Sequence, residues 1–325
     1  MKKTFLLLLL SIVTIIVNAQ SYKKIIVAKD GSGDYSTVQA AFDAVPMNNK
    51  NLIQILIKPG IYKEKLHIDS GKNNLFILGE NAMQTILTYD DHTGTVAPDG
   101  STINTMTSQS FYIKANDIRV QNITIENTAG MTAGQAVALR VQGDRVLIIS
   151  CRILGFQDTL FTSGENSRQY YKNCFIQGST DFIFGSSTAL FDNCIIRSKK
   201  NSHITAASTP KDHAFGYVFR NCRLVADSGL NKVSLGRPWR PYASVTYIEC
   251  KIDGHIFPEG WDNWKNPENE KTARYSEYQN TGAGSDTTAR VQWSHQLTGE
   301  EVKKYTMENI LNNWQPYAIY TKAMR

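Results

Sequence analysis

The chain has 325 residues, and 35 Lys+Arg stand against 29 Asp+Glu, a formal net charge of +6. That balance is mildly basic and diffuse; no Lys/Arg run marks a nucleic-acid arm, so no nucleic-acid partner is expected. Histidines at 67, 92, 203, 213, 255 and 295 are scattered without ligand spacing, so neither a metal site nor another cofactor is expected.

Lys2 and Lys3 precede an apolar run from Phe5 to Val17, and Val17-Asn18-Ala19 then offers small residues for cleavage. This pattern predicts a signal peptide over residues 1–19. A membrane anchor would need roughly 20 apolar residues, so no stable membrane insertion is expected. The protein is expected to be exported, to the medium, periplasm or cell surface. Removing the leader leaves 33 basic and 29 acidic residues, or +4. About 300 residues often form two domains. No linker interrupts the even, turn-rich texture from residue 50 to 255, so residues 20–325 read as one elongated domain and a monomer.

Ser36 to Val45 reads as a short helix, capped by Ser36 or Thr37 and stopped by Pro46. It would cover the N-terminal end of the repeats. Beyond it the chain repeats itself. Ser150-Cys151-Arg152-Ile153, Asn173-Cys174-Phe175-Ile176, Asn193-Cys194-Ile195-Ile196, Asn221-Cys222-Arg223-Leu224 and Glu249-Cys250-Lys251-Ile252 share one frame. Asn122-Ile123-Thr124-Ile125 extends it upstream, and Asn74-Leu75-Phe76-Ile77 reads as an earlier copy. Spacings from Ile123 onward are 28, 23, 20, 28 and 28 residues.

Each copy is a short strand with an inward apolar residue at every second position. A period of this length in strand-like, Gly- and Asn-punctuated units predicts an all-β solenoid, a parallel β-helix with one coil per repeat. Helical repeats do not fit, and the leucine and asparagine ladder of a leucine-rich repeat is missing. Equivalent residues in adjacent coils then lie about 4.8 Å apart. The cysteines are expected to stack inward as small apolar residues; disulfides with one thiol left over are the alternative. Residues 262–292 read as polar loop wrapping the coil. Thr298-Gly299-Glu300-Glu301 reads as a capping box opening a helix to about Asn313, near the other end.

Within this frame Asp158 falls seven residues after Cys151 and Asp181 seven after Cys174. The two are therefore expected in register on neighbouring coils. Carboxyl groups stacked in this way do not easily both stay ionised, which makes an acid and a base or nucleophile from one residue type. Gln157 directly precedes Asp158, Gln135 lies one coil earlier, and Gly236-Arg237-Pro238-Trp239 brings a guanidinium beside a large aromatic. A structural aspartate ladder has no need of such neighbours.

Gly155-Phe156-Gln157-Asp158-Thr159-Leu160, Asp181-Phe182-Ile183-Phe184-Gly185, Gln135-Ala136-Val137-Ala138-Leu139 and Leu235-Gly236-Arg237-Pro238-Trp239 together resemble the pectin methylesterases (pectinesterases). Asp30-Gly31-Ser32-Gly33-Asp34-Tyr35, Gly60-Ile61-Tyr62-Lys63-Glu64, Trp261-Asp262-Asn263-Trp264 and Tyr275-Ser276-Glu277-Tyr278 are similar to that family's remaining segments, in order along nearly the whole chain. The resemblance implies a right-handed parallel β-helix that hydrolyses galacturonate methyl esters in methyl-esterified pectin (homogalacturonan) without a metal. By motif position it implies Asp181 as nucleophile and Asp158 as acid, later base. Gln135 and Gln157 would line an oxyanion hole, and Arg237 and Trp239 would bind substrate. Phe161, Phe184 and Trp261 read as either cleft aromatics that bind substrate or core residues, and the family pattern puts Thr105 near the cleft.

Rival chemistries leave different marks. A serine esterase would carry a Gly-x-Ser-x-Gly elbow, which the chain lacks. A lyase on this scaffold would use calcium carboxylates and a basic residue. A glycoside hydrolase would use two carboxylates but release reducing ends rather than methanol.

Overall fold

The computed structural model describes residues 23–164 and 166–318; the leader expected over residues 1–19 lies outside them. Among the described residues, strands fall into three sheets of eleven, eight and seven members, and every strand pair is parallel. One coil visits the sheets in turn, as Val146–Ile149, Arg152–Leu154 and Leu160–Thr162 do. This is the expected parallel β-helix. No helix among the described residues is long and apolar enough to cross a membrane.

The inward positions line up in columns down the coil axis. One runs Ile55, Ile77, Val120, Ile148, Tyr171, Phe191, Phe219 and Tyr247. Its last four rings stack at 4.8, 4.4 and 4.5 Å, so rung spacing and ring stacking reinforce each other. The five cysteines form another column, all buried and all free thiols. Each follows a corner residue in the left-handed region: Ser150, Asn173, Asn193, Asn221 and Glu249, at φ between 51° and 54°. Asparagine tolerates that conformation best among common side chains, and the Asn193 side-chain amide donates to Asn173 Oδ1 at 2.7 Å.

Asn74 is also left-handed, at φ 59°, but it is not an earlier copy of the cysteine corner. Leu75 pairs with Ile118, and Ile118 with Val146. Asn74 therefore matches Asp117 and Arg145, at the corner that enters the eleven-stranded sheet rather than the one that leaves it.

The N-terminal helix spans Val38–Asp43 with Thr37 as its cap and buries Val38, Ala41 and Phe42. Phe42 stacks on Phe111 at 5.5 Å, closing the first coils. Its free ends are satisfied by distant side chains. Glu64 accepts from the Val38 and Gln39 amides at 2.9 and 3.0 Å, and Lys72 Nζ donates to the Phe42 and Asp43 carbonyls.

The C-terminal third departs from expectation. Residues 262–292 are not all loop: Arg274–Tyr278 is a further strand, paired with Ser244–Ile248, and it buries Tyr275. Glu277 and Arg290 form an ion pair below 5% exposure that closes this end. Thr298 and Glu301 do exchange backbone-to-side-chain hydrogen bonds, yet no continuous helix follows. A 3-10 turn, Glu301–Lys304, stops at Tyr305 (ψ 41°), and a separate short helix, Met307–Ile310, starts from Thr306. It covers a flank and not an end. The outer face of the eleven-stranded sheet carries Leu147, Tyr170, Leu190 and Val218, and Ile310, Leu311 and Trp314 bury it.

Candidate active site

The site forms where each coil turns from the eight-stranded into the seven-stranded sheet. Leu160 pairs with Ile183, so Asp158 and Asp181, each two residues earlier, occupy the same position on consecutive rungs, about 4.8 Å apart along the coil axis. Both are left-handed, at φ 62° and 49°. A non-glycine residue held there costs roughly 1 kcal/mol or more, and such strain gathers at functional sites. Ladder bonds hold the two corners: the Asp158 amide donates to Thr180 O at 3.0 Å and the Asp181 amide to His203 O at 2.8 Å.

Arg237 breaks the symmetry of the pair. It lies on Ser234–Pro238, three rungs beyond the coil of Phe161. Its Nε and Nη2 donate to the two Asp181 carboxylate oxygens at 2.9 and 2.6 Å, a fork that matches a carboxylate. A Cβ on the preceding Gly236 would meet Thr205 Oγ1 at 1.9 Å, so only glycine lets this strand approach its neighbour. The Trp264 ring lies 3.6 Å from the guanidinium carbon and fixes its plane from the other side. Asp158 makes no such bond. Burial first, then the charge of Asp181, pushes its carboxyl well above the usual range, against the opposing pull of Arg237. The arrangement favours the protonated form of Asp158 and leaves Asp181 facing a guanidinium. On the next rung, burial and Arg237 push the imidazole of His203 down, and its Nδ1 bonds Ser234 Oγ at 2.7 Å.

Gln157, next to Asp158, and Gln135, one coil earlier, pair as an isolated parallel bridge. Their backbones are engaged, and neither side-chain amide has a protein hydrogen-bond partner among the described residues. Both amides line the cleft and are free to donate into it. Thr105 opens a 3-10 turn whose Asn104 cap is reciprocal, and its hydroxyl lies 3.1 Å from that of Thr93.

The cleft holds about 330 Å³ and brings together Thr105, Gln135, Gln157, Asp158, Asp181, Phe184, Arg237 and Trp239. Phe161 lies behind it, 5% exposed and stacked on Phe184 at 4.4 Å. Trp261 is a core residue, which corrects its reading as a cleft aromatic. It is 2% exposed, bridges Gly236 through its backbone, and packs on Tyr275 and Tyr247 inside the coil. Trp264 takes the cleft position instead. Met106 and Ala206 also line the cleft and carried no signal in the motifs. A larger hollow of about 510 Å³ lies under the C-terminal helix. Its carboxylate and guanidinium, Asp144 and Arg168, neutralise each other at 2.6 Å, and nothing there is poised for chemistry. Among the described residues no cluster of three His, Cys, Asp or Glu is arranged to hold a metal ion.

Residues 24–313 match the family model Pectinesterase. A probable pectinesterase/pectinesterase inhibitor of Brassica napus is 40% identical over 305 residues, covering 89% of this chain and 51% of the relative. Pectinesterase 31 of Arabidopsis thaliana is 37% identical over 291 residues, covering 88% of this chain and 91% of that one. The chain thus spans about half the length of the Brassica relatives it matches. Among solved structures, the pectin methylesterase from carrot superposes with a TM-score of 0.84 at 33% identity, covering 93% of this chain and 96% of that one. A pectin methylesterase in complex with a hexasaccharide superposes at 0.80 with 30% identity, covering 92% and 99%.

Proposed function

The chain belongs to the pectinesterase family, and we propose that it acts as a carboxylic ester hydrolase that de-esterifies methyl-esterified pectin, releasing methanol. The observation that carries this reading is the unequal aspartate pair: Asp181 held by both arms of Arg237, Asp158 buried one rung away without a cation of its own. An ester hydrolase that works through a carboxylate needs one ionised oxygen to attack and one proton to give away. Two unlike environments supply both at one pH.

In the proposed reaction an Asp181 oxygen attacks the carbonyl carbon of the galacturonate methyl ester. Charge moves to the carbonyl oxygen, where the unpartnered amides of Gln135 and Gln157 donate to it. As the tetrahedral intermediate collapses, the bond to the methoxy oxygen breaks and Asp158 gives that oxygen its proton, releasing methanol. The galacturonyl group is left on Asp181 as an anhydride. Asp158, now a base, takes a proton from water, whose oxygen attacks the anhydride carbonyl. The galacturonyl group leaves as the free acid and gives its proton to solvent, Asp181 regains its charge, and Asp158 its proton. The two aspartates titrate as one unit, so acid and base are roles within a pair. Trp239, set edge-on to Phe184 at 5.9 Å, gives the sugar ring an apolar wall. A signal peptide over residues 1–19 would bring the enzyme to wall pectin outside the cell.

Methanol release from highly methylated pectin, with EDTA in a parallel sample, tests the activity. Asp181→Asn should abolish it while leaving the fold intact by circular dichroism. Full activity in that variant would refute the mechanism, and new reducing ends in place of methanol would refute the reaction class.

A further inference from the structure

The ladder that sets Asp158 beside Asp181 continues for two more rungs. Leu160 pairs with Ile183, Ile183 with Thr205, and His203 with Ser234. Counted back two residues from Leu160, Ile183 and Thr205, Asp158, Asp181 and His203 follow one another on consecutive rungs, about 4.8 Å apart along the coil axis. Ser234 comes next. The Asp181 amide donates to the His203 carbonyl at 2.8 Å, so these two corners are also joined through the backbone. The proposed reaction uses the first two members of this column and leaves the third without a task.

His203 sits where a charge on its ring would matter. Its Nδ1 bonds the Oγ of fully buried Ser234 at 2.7 Å, which fixes the imidazole on its strand. Three charged groups face it: Arg237, on the same strand as Ser234; Asp181, one rung back; and Asp262, just after the bridge of Trp261 to Gly236. These groups already hold partners. Asp181 takes both arms of Arg237, and Asp262 Oδ1 accepts from the Trp264 amide at 2.7 Å. Among the described residues His203 makes no ion pair with a carboxylate, whereas His67 and His295 do. Burial and Arg237 favour the neutral ring. The ring is not among the groups that line the cleft, so it acts through its neighbours.

We propose that His203 is a positioning residue that makes the esterase acid-sensitive: its neutral ring leaves Asp181 to Arg237, and the imidazolium formed in acid is a second cation beside Asp181 that slows its attack. This rests on the pectinesterase reading above. A further cation stabilises the charge while it is concentrated on Asp181 more than when it has moved onto the ester oxygen, so the barrier rises. Each turnover leaves an acid that gives its proton to solvent. The product therefore drives the ring toward its charged form, and hydrolysis slows as its own surroundings acidify.

Two measurements test this. Proton NMR of the imidazole C2 protons follows each histidine through pH, and the signal missing from His203→Gln identifies His203. Its midpoint should lie below that of a free imidazole in wild type. In Asp181→Asn it should move down by about one further pH unit, the lower end for losing a nearby opposite charge. In the second measurement, kcat/KM for methanol release is compared at pH 7.5 and pH 5. The loss on acidification should be about tenfold greater in wild type than in His203→Gln, whose amide takes no proton. His203→Asn, with an amide nearer the Nδ1 position, repeats both arms should the glutamine variant not fold. A His203 midpoint that ignores Asp181→Asn would overturn the proposal. So would an equal loss on acidification in wild type and variant, since a ring that only braces Ser234 costs the same at both pH values. Wild-type protein that releases no methanol at either pH would refute the parent reading alone, and the NMR titration would still decide whether His203 senses Asp181.

Discussion

Replacing Asp158 with asparagine should make the protein more stable and less active at once, with the gain in stability growing with pH. Asp158 is 9% exposed, and both burial and the neighbouring Asp181 charge disfavour its ionised form. Its folded-state pKa is raised above the unfolded value near 3.9. Below that value the acid is protonated in both states and ionisation costs nothing. As pH rises past it, the unfolded chain releases a proton that the folded chain keeps. Native stability therefore falls by about 1.4 kcal/mol per pH unit for as long as the folded carboxyl stays protonated. Asparagine has nearly the same shape and no proton to lose. The difference between Asp158→Asn and wild type should be near zero at pH 4 and grow as pH rises, by at most about 1.4 kcal/mol per pH unit. Urea unfolding at pH 4, 5.5 and 7 measures it, and methanol release on the same samples should fall about a hundred- to ten-thousandfold, the range for a lost general acid. A variant less stable than wild type at pH 7, or a stability difference that ignores pH, would show that Asp158 is not held as a buried neutral acid.

Gln157→Ala should lower kcat for methanol release about a hundred- to thousandfold while KM moves little, the signature of a lost oxyanion donor; a loss under about threefold would remove Gln157 from that role. All five cysteines should react with a thiol reagent once the protein is denatured without reductant, and none should react quickly in the native state, since each is buried in the coil. Fewer than five thiols on denaturation would mean that bridges replace the stacked column.

The repeat was legible because it is a local, periodic property. Each cysteine corner carries its own left-handed residue and its own inward thiol, so five copies announced the coil and put Asp158 opposite Asp181 without any tertiary knowledge. Properties that depend on register between coils were harder to read. Asn74 mimics the cysteine corner because both corners of the eleven-stranded sheet use left-handed residues, and only the pairing of Leu75 with Ile118 tells them apart. The strand Arg274–Tyr278 hid among polar residues because just one of its side chains, Tyr275, needs the core as an apolar group, while Glu277 is buried through its pair with Arg290.

Trp261 and Trp264 pose the same difficulty at the site itself. They are three residues apart in one motif, and nothing in composition ranks one over the other. What separates them is the backbone: Trp261 continues a rung beside Gly236 and points inward, whereas Trp264 and Lys265 are left-handed at φ 61° and 53° and swing the indole across Arg237. Arg140 is the extreme case. Alternation within Leu139-Arg140-Val141 already turns it outward, as a surface charge of no note. Its setting comes only from stacking three coils, so that Tyr112 and Phe161, 28 residues before and 21 after it, become the two walls of its guanidinium. A solenoid thus writes its chemistry at two levels. The period brings Asp158 and Asp181 together, while the unequal loops between periods set which side chains surround them.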